Sequence, residues 1–304
     1  MRVVTRPDFD GIVCAVLIYE AEEIDSPVLW IEPGLVQKGD VDIRDGDIMA
    51  NLPYDERCSL WFDHHVSNGP NHDIKGSFKV APSAAGVAYE YYKKQGKLKK
   101  NFDELIRETD IIDSASLTEN QVLYPEKYPY ILLSMTIKNH DESDPPYWNR
   151  LVSLLRQKNI SDIMNDNEVR KRCQSVIEEN RVFADILKKY TQLHDNISVC
   201  DFRSMEKVPS GNRFLTYCLF PETMANVRIR YDHENKNYVI LSIGHSIFNK
   251  SCKVNIGKLL SNYGGGGHAG AGGCTLDAAE ADGTIQDIIE ILRKNQKNID
   301  NLHL

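Results

Sequence analysis

Asp63-His64-His65 closes an apolar run, residues 59–62, with a carboxylate and two imidazoles in succession. Such a run reads as a buried strand, and in an open α/β sheet ligands gather outside the carboxyl ends of the strands. Carboxylate oxygen and imidazole nitrogen together suit Mn, Mg or Zn, so the triplet could hold a divalent ion. The same residues are compatible with a capped strand end carrying two solvated histidines. A second acidic pair, Asp8-Phe9-Asp10, lies between a β-branched run at residues 2–5 and an amphipathic helical stretch over about residues 12–24. Alternation along an extended segment puts both carboxylates on one side, where they repel unless a cation joins them. Taken alone, the pair reads at least as readily as a helix cap.

The third chemical feature is Gly264-Gly265-Gly266-Gly267-His268, followed by Ala269-Gly270-Ala271-Gly272-Gly273. Successive glycine N–H groups can form a concave anion nest, and a histidine emerging from it suits phosphate. A flexible linker is the competing reading, disfavoured by apolar helical sequence before the run and Cys274-Thr275-Leu276 after it. The run lacks the first-strand context of a dinucleotide-binding fingerprint. His245, between a strand and the following helix, is a further candidate for the same anion site.

Positioning these groups takes a sheet. Residues 28–31, 47–51 and 59–63 read as strands after the one at 2–5, with Asn51 at a carboxyl end. Ser83 suits the N-cap of a helix reaching about Gln95, with Gly96 as its stop. Another helix starts near Phe102 and ends in Thr109-Asp110-Ile111-Ile112-Asp113. Strands alternating with helices predict an α/β domain: a mostly parallel sheet with helices on both faces. Asp8, Asp10, Asn51, His64 and Asp110 would then converge on one sheet edge. Residues 115–160 read as helical, broken at Pro145-Pro146. Residues 167–190 read as one charged amphipathic helix, either a connection between domains or a surface helix of the first. From Ile197 the pattern changes to short β-rich runs, at 198–200, 214–220, 225–231 and 238–243, which predicts a smaller α/β domain with its own sheet. The expected organisation is 1–165, a helical linker 166–194, and 195–304.

Composition narrows the function classes. A chain of 304 residues exceeds the size at which single cores usually divide. At 41% hydrophobic and 26% charged residues it reads as globular. No apolar run approaches the ~20 residues of a membrane-spanning helix, and residues 1–5 carry no signal pattern. None of the seven cysteines falls in a Cys-x-x-Cys pair, so reduced thiols in a cytoplasm are expected and no zinc ribbon. Residues 195–304 carry 12 Lys/Arg against 12 Asp/Glu, leaving 24 against 32 in residues 1–194. That balance argues against a broad basic footprint for duplex DNA. A small anionic substrate fits, if bound metal and a few local cations neutralise it. No Ser/His/Asp set with recognisable spacing points to a covalent nucleophile.

Asp8-x-Asp10, Asp63-His64-His65 and Gly265-Gly266-Gly267-His268, in this order, resemble the DHH phosphoesterases with a C-terminal DHHA1 domain. That family includes RecJ-like, oligoribonuclease-like and exopolyphosphatase-related proteins, and the resemblance spans nearly the whole chain. It implies that Asp8, Asp10, His64 and Asp110 bind Mn or Mg, with Asp113 competing with Asp110. Asp63 would support His64. His65 would face the substrate phosphate, and Gly265, Gly266, Gly267 and His268 would grip a phosphate from the second domain across a cleft. Two positions depart from the family pattern. Val4 stands where many relatives carry a histidine, and Asn51 where many carry an aspartate bridging two metals. Weaker metal binding is expected, with one ion held firmly; Asp47 and Asp55 are the nearest acids that could compensate. The implied activity is hydrolysis of a small phosphorylated substrate by metal-activated water: a short single-stranded oligonucleotide, phosphoadenosine phosphate or a related nucleotide, or polyphosphate. Arg6 would assist at the phosphate. The rival expectation is a nucleotide sensor that barely hydrolyses, because of Asn51 and Val4. A homodimer is a compatible assembly.

Overall fold

The computed structural model describes residues 1–70, 73–138, 143–208 and 210–298. The chain divides into two compact units, Met1–Leu117 with Pro125–Val176, and Thr118–Tyr124 with Ile177–Leu304. The first unit runs β1 (Arg2–Thr5), α1 (Phe9–Ala21), β2 (Leu29–Trp30), α2 (Pro33–Lys38), β3 (Asp47–Ala50), β4 (Leu60–Asp63), β5 (Gly76–Phe78), α3 (Ala84–Lys94) and α4 (Asp103–Asp113). After α5 (Glu119–Leu123), which belongs to the second unit, it continues with α6 (Pro129–Met135), α7 (Pro145–Gln157), α8 (Ile160–Met164) and the start of α9 (Asn167–Tyr190).

Its five strands are all parallel, in the order β2-β1-β3-β4-β5. Side-chain alternation sorts them onto two cores. Val3, Ile48, Ala50 and Phe62 join α1, α3, α4 and α7 on one face, whereas Val4, Met49 and Trp61 join Val36 of α2 and Ile43 on the other. Every residue of α1 from Phe9 to Ile18 is buried, because that helix lies under the sheet and among α3, α4 and α7. The chain leaves β1 toward β2 and then crosses back to β3 on the other side. Ligands bind in the crevice at such a reversal, outside the strand carboxyl ends.

The second unit adds β6 (Thr191–His194), β7 (Ile197–Asp201), α10 (Leu215–Leu219), β8 (Ala225–Tyr231), β9 (Tyr238–His245), α11 (Ile256–Ser261), β10 (Gly266–His268), β11 (Ala271–Asp277) and α12 (Ala281–Lys294). They build a six-stranded mixed sheet, β10-β11-β9-β8-β7-β6, in which only β7 and β8 pair in parallel. Val199, Val227 and Leu241 bury one face against Ile256 of α11 and Ile288 of α12.

Two local expectations are corrected. Residues 214–220 form α10, not a strand, since an apolar run this short carries no decisive period. Pro145-Pro146 starts α7 instead of breaking a helix: the first helical N–H groups have no partner in any helix, so proline costs nothing there, and Asp144 caps the turn. The disfavoured linker reading of the glycine run falls away, because residues 266–268 are the edge strand β10. The boundary between units falls inside α9, between Val176 and Ile177. No helix among the described residues is long and apolar enough to cross a membrane.

Candidate active site

Three parallel strands deliver the chemistry at their carboxyl ends. After β1 the chain turns through Arg6-Pro7, and Asp8 caps α1 by accepting the Gly11 N–H at 2.8 Å. The turn is so tight that a Cβ on Gly11 would lie 2.0 Å from the Arg6 carbonyl oxygen, which explains the glycine. The helix-cap reading of Asp8 is therefore correct as local structure, and it leaves Asp10 pointing inward. Asp10 is 1% exposed and receives two backbone N–H groups, from Ala84 at 2.9 Å and Ala85 at 2.8 Å. These are the first amides of α3, so Asp10 sits where a helix N-terminus favours negative charge. Ser83 caps that helix through Gly86 and donates its hydroxyl to Asp110 at 2.6 Å.

After β3 comes Asn51, in the left-handed region at φ 56, a conformation asparagine tolerates. Its Nδ2 donates to Asp8 Oδ1 at 2.9 Å, and its Oδ1 is buried without a partner. After β4, Asp63 is fully buried; it lies 2.8 Å from His65 Nδ1 and accepts from Asn68 Nδ2 at 2.7 Å. Asp63 thus orients His65, where the resemblance implied support for His64. The Nδ1 of His64 donates to the Ala81 carbonyl at 2.9 Å, which leaves Nε2 as a bare lone pair. That Nε2 is buried, has no hydrogen-bond partner, and lies 3.3 Å from Asp113 Oδ2 and 3.9 Å from Asp10 Oδ2.

Asp10, His64 and Asp113 offer one ligand atom each within 4.8 Å of one another. Asp110, one helical turn earlier, is outside this cluster and engaged by Ser83. Asp63, His64 and His65 form an overlapping set of the same kind. Burial pushes the His64 imidazole below its usual value, toward the neutral, ligating form. Burial, then the neighbouring carboxylates, push Asp10 up to about 7 and Asp113 up to about 9. The hydrogen bond to Asp63 raises His65 instead. Two carboxylates and an unprotonated ring nitrogen facing one another, one of them a buried acceptor lacking any donor, fit a divalent cation.

Other expected site residues lie as follows. Arg6 Nε is 3.3 Å from Asp8 and 3.4 Å from Glu32. Asp47 is paired with Arg2 at 2.7 Å and Asp55 with Arg57 at 2.6 Å, so neither compensates for Asn51. Val4 is wholly buried in the sheet core. In the second unit His245 Nε2 donates to the Val254 carbonyl at 2.9 Å. Gly266, Gly267 and His268 pair with Gly273, Gly272 and Ala271. A Cβ on Gly265 or Gly267 would come within 2.3 Å of a β11 carbonyl oxygen, so close strand approach accounts for these glycines. The sequence reading missed the Ala84 and Ala85 amides and Asn68. The Ser83 cap was the available signal for the amides, because it announced a helix N-terminus.

A solved structure of a pGpG-specific phosphodiesterase, PggH from Vibrio cholerae, matches with 31% identity and a TM-score of 0.83, covering 97% of this chain and 99% of that one. The chain belongs to the DHH/DHHA1 phosphoesterase family. Two further structures show the family's fold at low identity. An exopolyphosphatase-related protein from Bacteroides fragilis matches at 12% identity and TM-score 0.54, over 96% of this chain and 91% of that one. RecJ from Thermus thermophilus in complex with Mn2+ matches at 12% and 0.57, over 99% of this chain and 54% of RecJ. No family model and no curated protein matches the sequence.

Proposed function

We propose that the chain is a divalent-metal-dependent phosphodiesterase that hydrolyses a short linear oligonucleotide, with pGpG the first candidate. The convergence of Asp10, His64 and Asp113 on one point at the strand switch carries this reading. The full-length likeness to the PggH structure supports the substrate class. Asp10, His64 and Asp113 would hold the ion. A divalent ion there supplies positive charge to the phosphate and lowers the pKa of water. The Asp63 hydrogen bond raises the His65 pKa, and the protonated ring would offer an N–H and a positive charge to a phosphate oxygen. Asp63 and Asn68 fix its ring. Arg6, at the Asp8 end of the site, adds a second cation. Water adds to phosphorus and gives up a proton, the bond from phosphorus to O3′ of the leaving nucleotide breaks, and that oxygen takes a proton. From pGpG the products are two molecules of GMP.

The test is chromatography of pGpG, phosphoadenosine phosphate and polyphosphate after incubation with the chain and Mn2+ or Mg2+. GMP release that vanishes in Asp10→Asn is the expected result. Absence of turnover of all three with either metal would overturn the reading. Asn51 favours a second one, a nucleotide sensor, because its amide already satisfies Asp8. Metal-independent calorimetric binding of pGpG without turnover would select the sensor.

A further inference from the structure

The charges around Asp8 and Asp10 are compensated in different ways, and the difference bears on how many ions the site takes. Asp8 Oδ1 accepts two hydrogen bonds, from Gly11 N–H and Asn51 Nδ2, which occupy both of its lone pairs. Asp8 Oδ2 lies beside the Arg6 guanidinium. Asp10 Oδ1 accepts the Ala85 N–H and the long, weak Cys14 Sγ contact at 3.9 Å, while Oδ2 accepts only the Ala84 N–H and keeps a lone pair toward His64. Asp63 is held on both oxygens, by His65 and by Asn68. His64 Nε2 accepts nothing. The donors free to meet a cation are therefore on the Asp10, His64 and Asp113 side.

We infer that the site binds one divalent ion per chain, and that Asn51 with Arg6 keeps Asp8 out of its coordination. This rests on the metal reading above. Charge count agrees: Asp10 and Asp113 balance one divalent ion with His64 neutral, while Asp8 faces Arg6. A second ion at Asp8 would have to displace the Asn51 amide and sit against the guanidinium. The Asn51 Oδ1 is a buried acceptor without a partner, but it is neutral and lies on the side chain whose nitrogen already binds Asp8. Asn51 is thus a positioning residue for Asp8.

Mn2+ alone is the probe. Calorimetry of the metal-stripped full chain should give one equivalent of Mn2+, and its electron paramagnetic resonance the six-line spectrum of an isolated ion. Asn51→Asp removes the donor, frees an Asp8 lone pair and adds a charge; it should take up two equivalents and show an exchange-coupled pair. Asparagine and aspartate both tolerate the backbone at this position, so the variant should fold. Two coupled ions in the unmodified chain would overturn the inference while leaving the phosphodiesterase reading intact. No Mn2+ uptake at all would overturn the metal reading itself. A single ion in Asn51→Asp would overturn the role given to Asn51.

Discussion

Replacing Asp113 by asparagine should change the metal-free and metal-loaded protein in opposite directions. In the metal-free protein Asp113 and Asp10 face each other with ligand oxygens no more than 4.8 Å apart. Two like charges at that distance repel by about 1 kcal/mol at the dielectric of water and by about 3.5 kcal/mol at an effective value of 20. The Asp113 side chain is 26% exposed, so a value between these limits, roughly 1–3 kcal/mol, applies once both carboxyls are ionised; below that pH the cost appears as retained protons. Both carboxyls have raised pKa values in the folded chain, so it holds protons that the unfolded chain releases. Metal-free stability should accordingly fall as pH rises from the ordinary carboxylate range toward about 9. Asp113→Asn should flatten that fall and raise the melting temperature at pH 8 by a few degrees, about 2–4 °C per kcal/mol for a unit of this size. With Mn2+ the order reverses. An ion at 100 times its Kd stabilises by about 2.7 kcal/mol, and loss of a ligand should remove most of that, because even indirect partners of a metal are worth about 10–100-fold in affinity. Asp110→Asn, whose side-chain oxygen is engaged by the Ser83 hydroxyl and lies outside the ligand cluster, should leave the Mn2+ response in place. Thermal scans with and without Mn2+ read both effects. A Mn2+ shift that survives Asp113→Asn and disappears in Asp110→Asn would refute the assignment.

Asp63→Asn removes the main cause of the raised His65 pKa, so His65 should titrate at lower pH by NMR, and the alkaline limb of hydrolysis should move with it. The stability from that pair is complete at low pH and lost as pH rises through the raised His65 value, so the variant should lose stability on the acid side; an unmoved His65 titration would contradict the pairing. Gly11→Ala puts a methyl 2.0 Å from the Arg6 carbonyl oxygen and should cost about 1–3 kcal/mol by urea unfolding, which an unchanged midpoint would disprove.

Much of the first unit was legible because its signals are local and reinforce one another. The run that ends in Asp63-His64-His65 carries an abrupt polarity change at a strand end, Ser83 announces a helix, and the long charged period of residues 167–190 matches α9. What the sequence left open was set by distance or degeneracy. Asp110 and Asp113 are three residues apart on α4, neighbours on one helix surface, and only the packing of α4 against α1 and α3 shows which carboxylate reaches His64. The close approach of β11 to the glycines at 265 and 267 is likewise not readable from the sequence. The assignment of residues 118–124 to the second unit is likewise a tertiary fact, made by α5 meeting α10.

The segment from Ala81 to Ala85 ties the candidate site to the fold. Its carbonyl at Ala81 holds His64 by Nδ1, and its amides at Ala84 and Ala85 hold both oxygens of Asp10. One short stretch of backbone therefore orients two side chains that come from strands β1 and β4, with Ser83 fixing the stretch itself at the start of α3. Because the hydrogen bonds run through backbone atoms, the side chains at 81, 84 and 85 can be as small as alanine. That smallness is required, since Ala84 and Ala85 are fully buried against the core that also packs α1. Asp10 and His64 are thereby held in place by the protein's own hydrogen bonds, so an ion bound there would not need to order these two side chains. The distances at this segment are what a larger residue at Ala84 or Ala85 would disturb first.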